Sequence, residues 1–164
     1  MKNYRFSVAA IGMMVIFAAC RKQDVKADIP PAPTQNARIS SWNVPENWSN
    51  LKTDNVTTYF SKFSDSSVTT DVVNAGFVLV FKKNGNDIQS LPFQEKESKS
   101  YWYYQVAKGA IRINSDNNNG QNLSKQSFSY FIITPQQLST LEASGKTKFE
   151  LLQLSYEQAE ALLR

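Results

Sequence analysis

The chain has 164 residues, of which 41% are hydrophobic and 12% aromatic, with one cysteine and no histidine. The lack of histidine excludes Ser-His-Asp and Cys-His nucleophilic machinery, HExxH zinc sites and histidine general bases together. The net charge of +4 lies outside the folded part: residues 1–38 hold six basic side chains (Lys2, Arg5, Arg21, Lys22, Lys26, Arg38) and two acidic ones (Asp24, Asp28), which leaves 12 of each sign in residues 39–164. A neutral domain lacks the basic face that nucleic-acid binding needs, so no nucleic-acid partner is expected.

Lys2 and Arg5 supply a short positive start and residues 6–17 an uncharged, mostly apolar run, so residues 1–19 read as a secretory signal peptide. A membrane-crossing helix needs about 20 apolar residues. This run is broken by Ser7 and Gly12 and followed by Arg21 and Lys22, so it is too short to span. The stretch Phe17-Ala18-Ala19-Cys20 resembles a lipobox, in which small residues precede a cysteine that is diacylated on sulfur and becomes the new N-terminus; Phe17 stands where an aliphatic residue is usual. Lipidation of Cys20 would use up the chain's one thiol, and with it any cysteine nucleophile or thiolate metal site. Two or three acyl chains hold a protein on a membrane stably where a single chain gives only marginal binding. Arg21 is not the aspartate that retains lipoproteins at the inner membrane, which points to the outer membrane and leaves its periplasmic and surface faces both open.

Residues 20–38 comprise the lipidated cysteine and a tether that holds three of the six prolines and few large apolar residues, a solvated and semi-extended spacer. Its PPAP stretch is alternatively a proline-rich ligand. Residues 39–164 are then the folded domain. Their aromatic and β-branched residues, punctuated by Asn, Gly, Asp and Ser, have the texture of short strands and turns. Strands are predicted over 56–63 (VTTYFSKF), 68–73 (VTTDVV) and 77–82 (FVLVFK). Asn84-Gly85 then makes a hairpin turn, since both residues tolerate positive φ. The return strand is 88–93 (IQSLPF), where Pro92 lacks a ladder donor and favours an edge or a bulge. Residues 101–106 and 110–114 form a second hairpin about Lys108-Gly109, and 125–134 (KQSFSYFIIT) closes the β part.

Two of these strands are apolar on both sides, 77–81 and 128–133, and should be central and covered on both faces. Helices are available as the second cover. Thr134-Pro135-Gln136-Gln137 combines an N-cap threonine, proline at the first helical position and glutamine three after the cap, with Gly145 as the stop. Ser155-Tyr156-Glu157-Gln158 repeats the capping box ahead of an apolar stripe of Tyr156, Ala159, Leu162 and Leu163. Between them, 148–154 (KFELLQL) reads as strand because Gly145 and Ser155 bracket it.

The succession WNVPENW, GFVLVFKKNGNDIQSLPF, YWYYQVAKGAIRI, FSYFIITP and a tyrosine-containing final helix resembles a β-sandwich domain common in lipoproteins of the Bacteroidota. The resemblance covers most of residues 42–164. It implies a mainly β fold, an immunoglobulin-like or jelly-roll antiparallel sandwich with one or two short C-terminal helices, in an outer-membrane setting. No catalytic or ligand residue comes with it.

Phosphate cradles and dinucleotide sites find no glycine motif among the six glycines. Paired carboxylates survive as a route to glycoside hydrolysis, but Asp65, Asp87, Glu95, Glu97 and Asp116 fall in predicted turns, where solvated turn formers are the plainer reading. The oxygen-rich run from Asp116 to Gly120 misses the glycine spacing and closing glutamate of an EF-hand, so no metal and no cofactor is expected. The aromatics carry the functional colour. On a strand, Tyr101 and Tyr103 share one face and Trp102 and Tyr104 the other, so one pair can present flat rings to a sugar or peptide, against core packing for all four. Trp42 and Trp48 are assigned to the edge of the core. The expected function is that of a lipid-anchored, non-catalytic binding or structural domain whose partners are the membrane and a glycan or envelope protein. The alternatives are a carbohydrate-binding module and a carboxylate-dependent hydrolase.

Overall fold

The structure is a computed structural model that describes residues 37–116 and 123–164. The signal peptide, Cys20, the tether as far as residue 36 and the oxygen-rich loop at 117–120 lie outside the described residues. The chain forms a β-sandwich. In chain order come β1 (Arg38–Ile39), β2 (Ser49–Thr53), β3 (Val56–Ser64), α1 (Thr70–Ala75), β4 (Phe77–Asn84), β5 (Asp87–Ser90), β6 (Phe93–Gln94), β7 (Tyr101–Ala107), β8 (Ala110–Asp116), β9 (Ser127–Ile133), α2 (Pro135–Ala143), α3 (Lys148–Leu152) and α4 (Tyr156–Leu163). They assemble into a four-stranded sheet of order β1-β9-β4-β5 and a five-stranded sheet of order β2-β3-β8-β7-β6. Neighbouring strands are antiparallel throughout.

The doubly apolar strands explain the layering. β4 and β9 are the central pair of the four-stranded sheet. Val78, Val80, Phe128, Tyr130 and Ile132 point into the space between the sheets, where they meet Trp102, Ile111 and Ile113. Their alternates Leu79, Phe81, Phe131 and Ile133 form a second core against Leu138, Leu151, Ala159 and Leu163 of the C-terminal helices. The fold is therefore three layers, with helices on the four-stranded sheet. Trp48 joins the inter-sheet core at 6.1 Å from Trp102, and Trp42 packs 4.9 Å from Tyr156 under the helices, as their edge assignment requires. No helix of the described residues is long and apolar enough to cross a membrane.

Both expected hairpins form, with Gly85 at φ 59° and Gly109 at φ 75° in two-residue turns. Three local expectations are corrected. Residues 68–73 do not form a strand: Thr69 caps α1 by accepting from the Val72 N–H, and Val72 of the helix and Val68 just ahead of its cap both reach the core. Gly76 ends that helix, and a Cβ there would lie 2.6 Å from the Ile133 carbonyl oxygen, so the turn into β4 admits only glycine. Residues 148–152 are helix because Thr147 and Glu150 close a full capping box. The single return strand of residues 88–93 is split into β5 and β6, with Pro92 at the point where the chain leaves one sheet for the other.

Candidate binding surface

The C-terminal helices α2, α3 and α4 pack on the four-stranded sheet, and among the described residues nothing comparable covers the outer face of the five-stranded one. Ladder register sets what that face displays, because directly paired residues project on the same side. Tyr101 pairs with Asp116, Asp116 with Thr58, and Thr58 with Leu51, which makes one row across four strands. Tyr103, Asn114, Phe60 and Ser49 make the next, and Gln105, Arg112 and Lys62 a third. The alternate residues of β7 and β8, Trp102, Ile111 and Ile113, are fully buried in the core.

The aromatic strand thus divides. Trp102 is completely buried, and Tyr104 points the same way and donates its hydroxyl to the Val78 carbonyl at 2.6 Å across the sandwich. Burial pushes the Tyr104 hydroxyl up to about 12, so it stays a neutral donor. These two residues leave the candidate set because the sheet pleat turns them inward. Tyr101 and Tyr103 remain on the open face, stacked with centroids 5.6 Å apart and planes 25° from parallel, and Tyr101 is 43% exposed.

Polar groups frame the rings. Thr58 donates its hydroxyl to the Asp116 carboxylate at 2.6 Å. Partial burial, and then the Asp116 charge, raise the Tyr103 hydroxyl above its ordinary value, which keeps it a hydrogen-bond donor. The Arg112 guanidinium lies 3.8 Å above the Phe60 ring centroid, a cation–π contact between neighbouring strands. Asn114, only 1% exposed, sits between the Phe60 and Tyr103 positions of its row. Thr58, Phe60, Arg112 and Asn114 were not singled out from sequence; each is one member of an alternating strand, and only the register of β3 on β8 brings them beside the tyrosines.

The acids divide as well. Asp65, expected as a solvated turn former, is 7% exposed and accepts from the Ser67 N–H, the Tyr130 hydroxyl and the Arg38 Nε at 2.9, 3.0 and 3.1 Å. Burial alone would raise its carboxyl; the hydrogen bonds outweigh it and hold it below the ordinary range. Glu95 accepts from Lys82, itself buried against the Trp102 ring at 4.6 Å. Among the described residues no three Asp, Glu, Cys or His side chains form a group that could hold a metal. Compared with protein-family models, curated proteins and solved structures, the chain has no match.

Proposed function

We propose that the chain is a lipid-anchored cell-envelope protein, held at the outer membrane by acyl chains on Cys20, whose sandwich is a non-catalytic module that binds glycans on the open face of the five-stranded sheet. The observation that carries the reading is the stacked Tyr101–Tyr103 pair on a sheet face that no helix of the described residues covers, in rows with Asp116 and Asn114 and next to the row of Arg112. Sugar rings stack their C–H faces on flat aromatic surfaces, and their hydroxyls donate hydrogen bonds to a carboxylate and accept them from a guanidinium at the rim. Binding is favoured over hydrolysis on two grounds. Asp116 is the one acid in the three rows, whereas glycoside hydrolysis uses two facing carboxylates. The buried cleft acid Asp65 is held below its ordinary range, the reverse of what a general acid needs.

The full chain in detergent should retain one class of oligosaccharide on a glycan array, and the Tyr101→Ala, Tyr103→Ala double variant should bind it at least about tenfold more weakly, a loss of about 1.4 kcal/mol. Undiminished binding by the double variant, or no retention by the parent, would remove the glycan reading. The anchor is tested separately. Mass spectrometry of the native product should find acylated Cys20 at a cleaved N-terminus, and Cys20→Ser should leave the leader attached and the acyl mass absent. An unmodified Cys20 still joined to its leader would overturn the envelope assignment.

A further inference from the structure

Among the described residues β3 has two neighbours for only part of its length. Its ladder to β2 ends at the Phe60–Ser49 pair, while its ladder to β8 runs on from Ser61–Ile113 to Ser64–Ala110. Ahead of β2 the chain has left the side of β3 and crossed to the other sheet, where the Asn43 N–H donates to the Phe128 carbonyl at 2.9 Å. Between this crossing segment and the bare edge of β3 lies a groove of about 740 Å³, walled by Asn43, Val44, Pro45 and Asn47 on one side and by residues 61–65 on the other. Asp65, fixed by Tyr130, Ser67 and Arg38, lies just past the last ladder pair, and the Ser49–Phe60 pair marks the other limit.

The geometry points to this groove as the seat of an extended peptide, added as a strand on the free edge of Ser61–Ser64. N–H and C=O groups alternate sides along a strand, so two of these four residues turn both groups away from β8. At about 3.3 Å per residue the edge is about 13 Å long. An extended backbone repeats donors and acceptors at that spacing and complements both; a sugar or a compact metabolite does not. Charge narrows the partner further. Arg38 and Lys62 balance Glu46 and Asp65, so the walls have no net formal charge and match a neutral segment rather than an acidic or a basic one. Every second side chain of the added strand faces inward over Phe63 and Tyr130, whose rings lie 6.2 Å apart, which selects apolar residues at alternate positions.

The test offers the full chain in detergent a library of acetylated and amidated hexapeptides that alternate apolar and polar uncharged residues. Captured peptides should slow hydrogen exchange at least tenfold at the amides of Ser61–Ser64 that point away from β8. N-methylating alternate backbone nitrogens of a captured peptide should abolish the protection. Asn47→Trp crowds the groove from an exposed position and should cut capture at least tenfold, with thermal unfolding and glycan binding unchanged. The assignment is overturned by absence of capture, by capture without protection of these amides, or by protection that survives both N-methylation and Asn47→Trp. The methylated peptides decide the matter even if the tryptophan variant does not fold.

Discussion

Trp102→Ala should lower the stability of the domain by about 3–5 kcal/mol, the usual cost of emptying a buried aromatic site. The indole is fully buried and packs across the sandwich, 5.9 Å from Phe128 of the opposite sheet and 6.1 Å from Trp48. It also supplies the face on which the Lys82 ammonium rests at 4.6 Å, and Lys82, 3% exposed, is paired with Glu95 at 3.1 Å. Removing the ring therefore leaves a cavity and a poorly sheltered buried cation at once. Domains of this kind are stable by only about 5–15 kcal/mol, so a large share of the folded state's margin would go. Urea unfolding followed by circular dichroism measures it. Tyr101→Ala, at a 43% exposed site on the same strand, should stay within about 0.5 kcal/mol of the parent. A Trp102→Ala protein as stable as the parent but deficient in binding would return Trp102 to the ligand surface and undo the division of the aromatic strand.

That division shows what could be read from the chain alone. Alternation along β7 separates Tyr101 and Tyr103 from Trp102 and Tyr104 without any structure, and two-sided apolarity marks β4 and β9 as central. Gly85, Gly109 and the capping boxes at Thr134 and Ser155 are local signals, and each appears where local chemistry requires it. Which face of β7 lies open is a property of the whole assembly. It depends on the helices choosing the four-stranded sheet, and nothing within residues 101–104 records that choice.

The misses have two physical origins. At α1 and α3 a local signal was present and outweighed: Thr69 is an N-cap with Asp71 in the first turn, and Thr147 with Glu150 is a capping box, yet the β-branched and bracketing residues suggested strands. The Asp54-Asn55 turn joining β2 to β3 is likewise local, with Asp54 at φ 52°. The remaining features are long-range. Thr58 meets Asp116 across 58 positions of chain, and Asp65 meets Tyr130 across 65. Their register follows from how the sheets close, so neither the polar frame around the tyrosines nor the burial of Asp65 is written in any short window.

Asp65 carries the second large effect, and it is pH-dependent. Its folded pKa lies below the ordinary 3.8, so the stability it contributes is complete above the unfolded value and is lost as pH falls through the folded one. Tyr130 does not titrate in this window, since burial, and then its bond to Asp65, push its hydroxyl up to about 12. The urea midpoint should therefore fall between about pH 5 and pH 2. Glu150 and Glu157, exposed and also held low by local hydrogen bonds, contribute to the same fall, so the readout is the difference between parent and variant. Asp65→Asn should be less stable by about 1–3 kcal/mol at neutral pH, because an amide presents one acceptor to three donors. The gap between the two proteins should narrow as the medium is acidified and the parent's carboxylate is neutralised. A constant gap from neutral to acid pH would mean that the charge on Asp65 plays no part in tying the β3–α1 turn to β9 and Arg38.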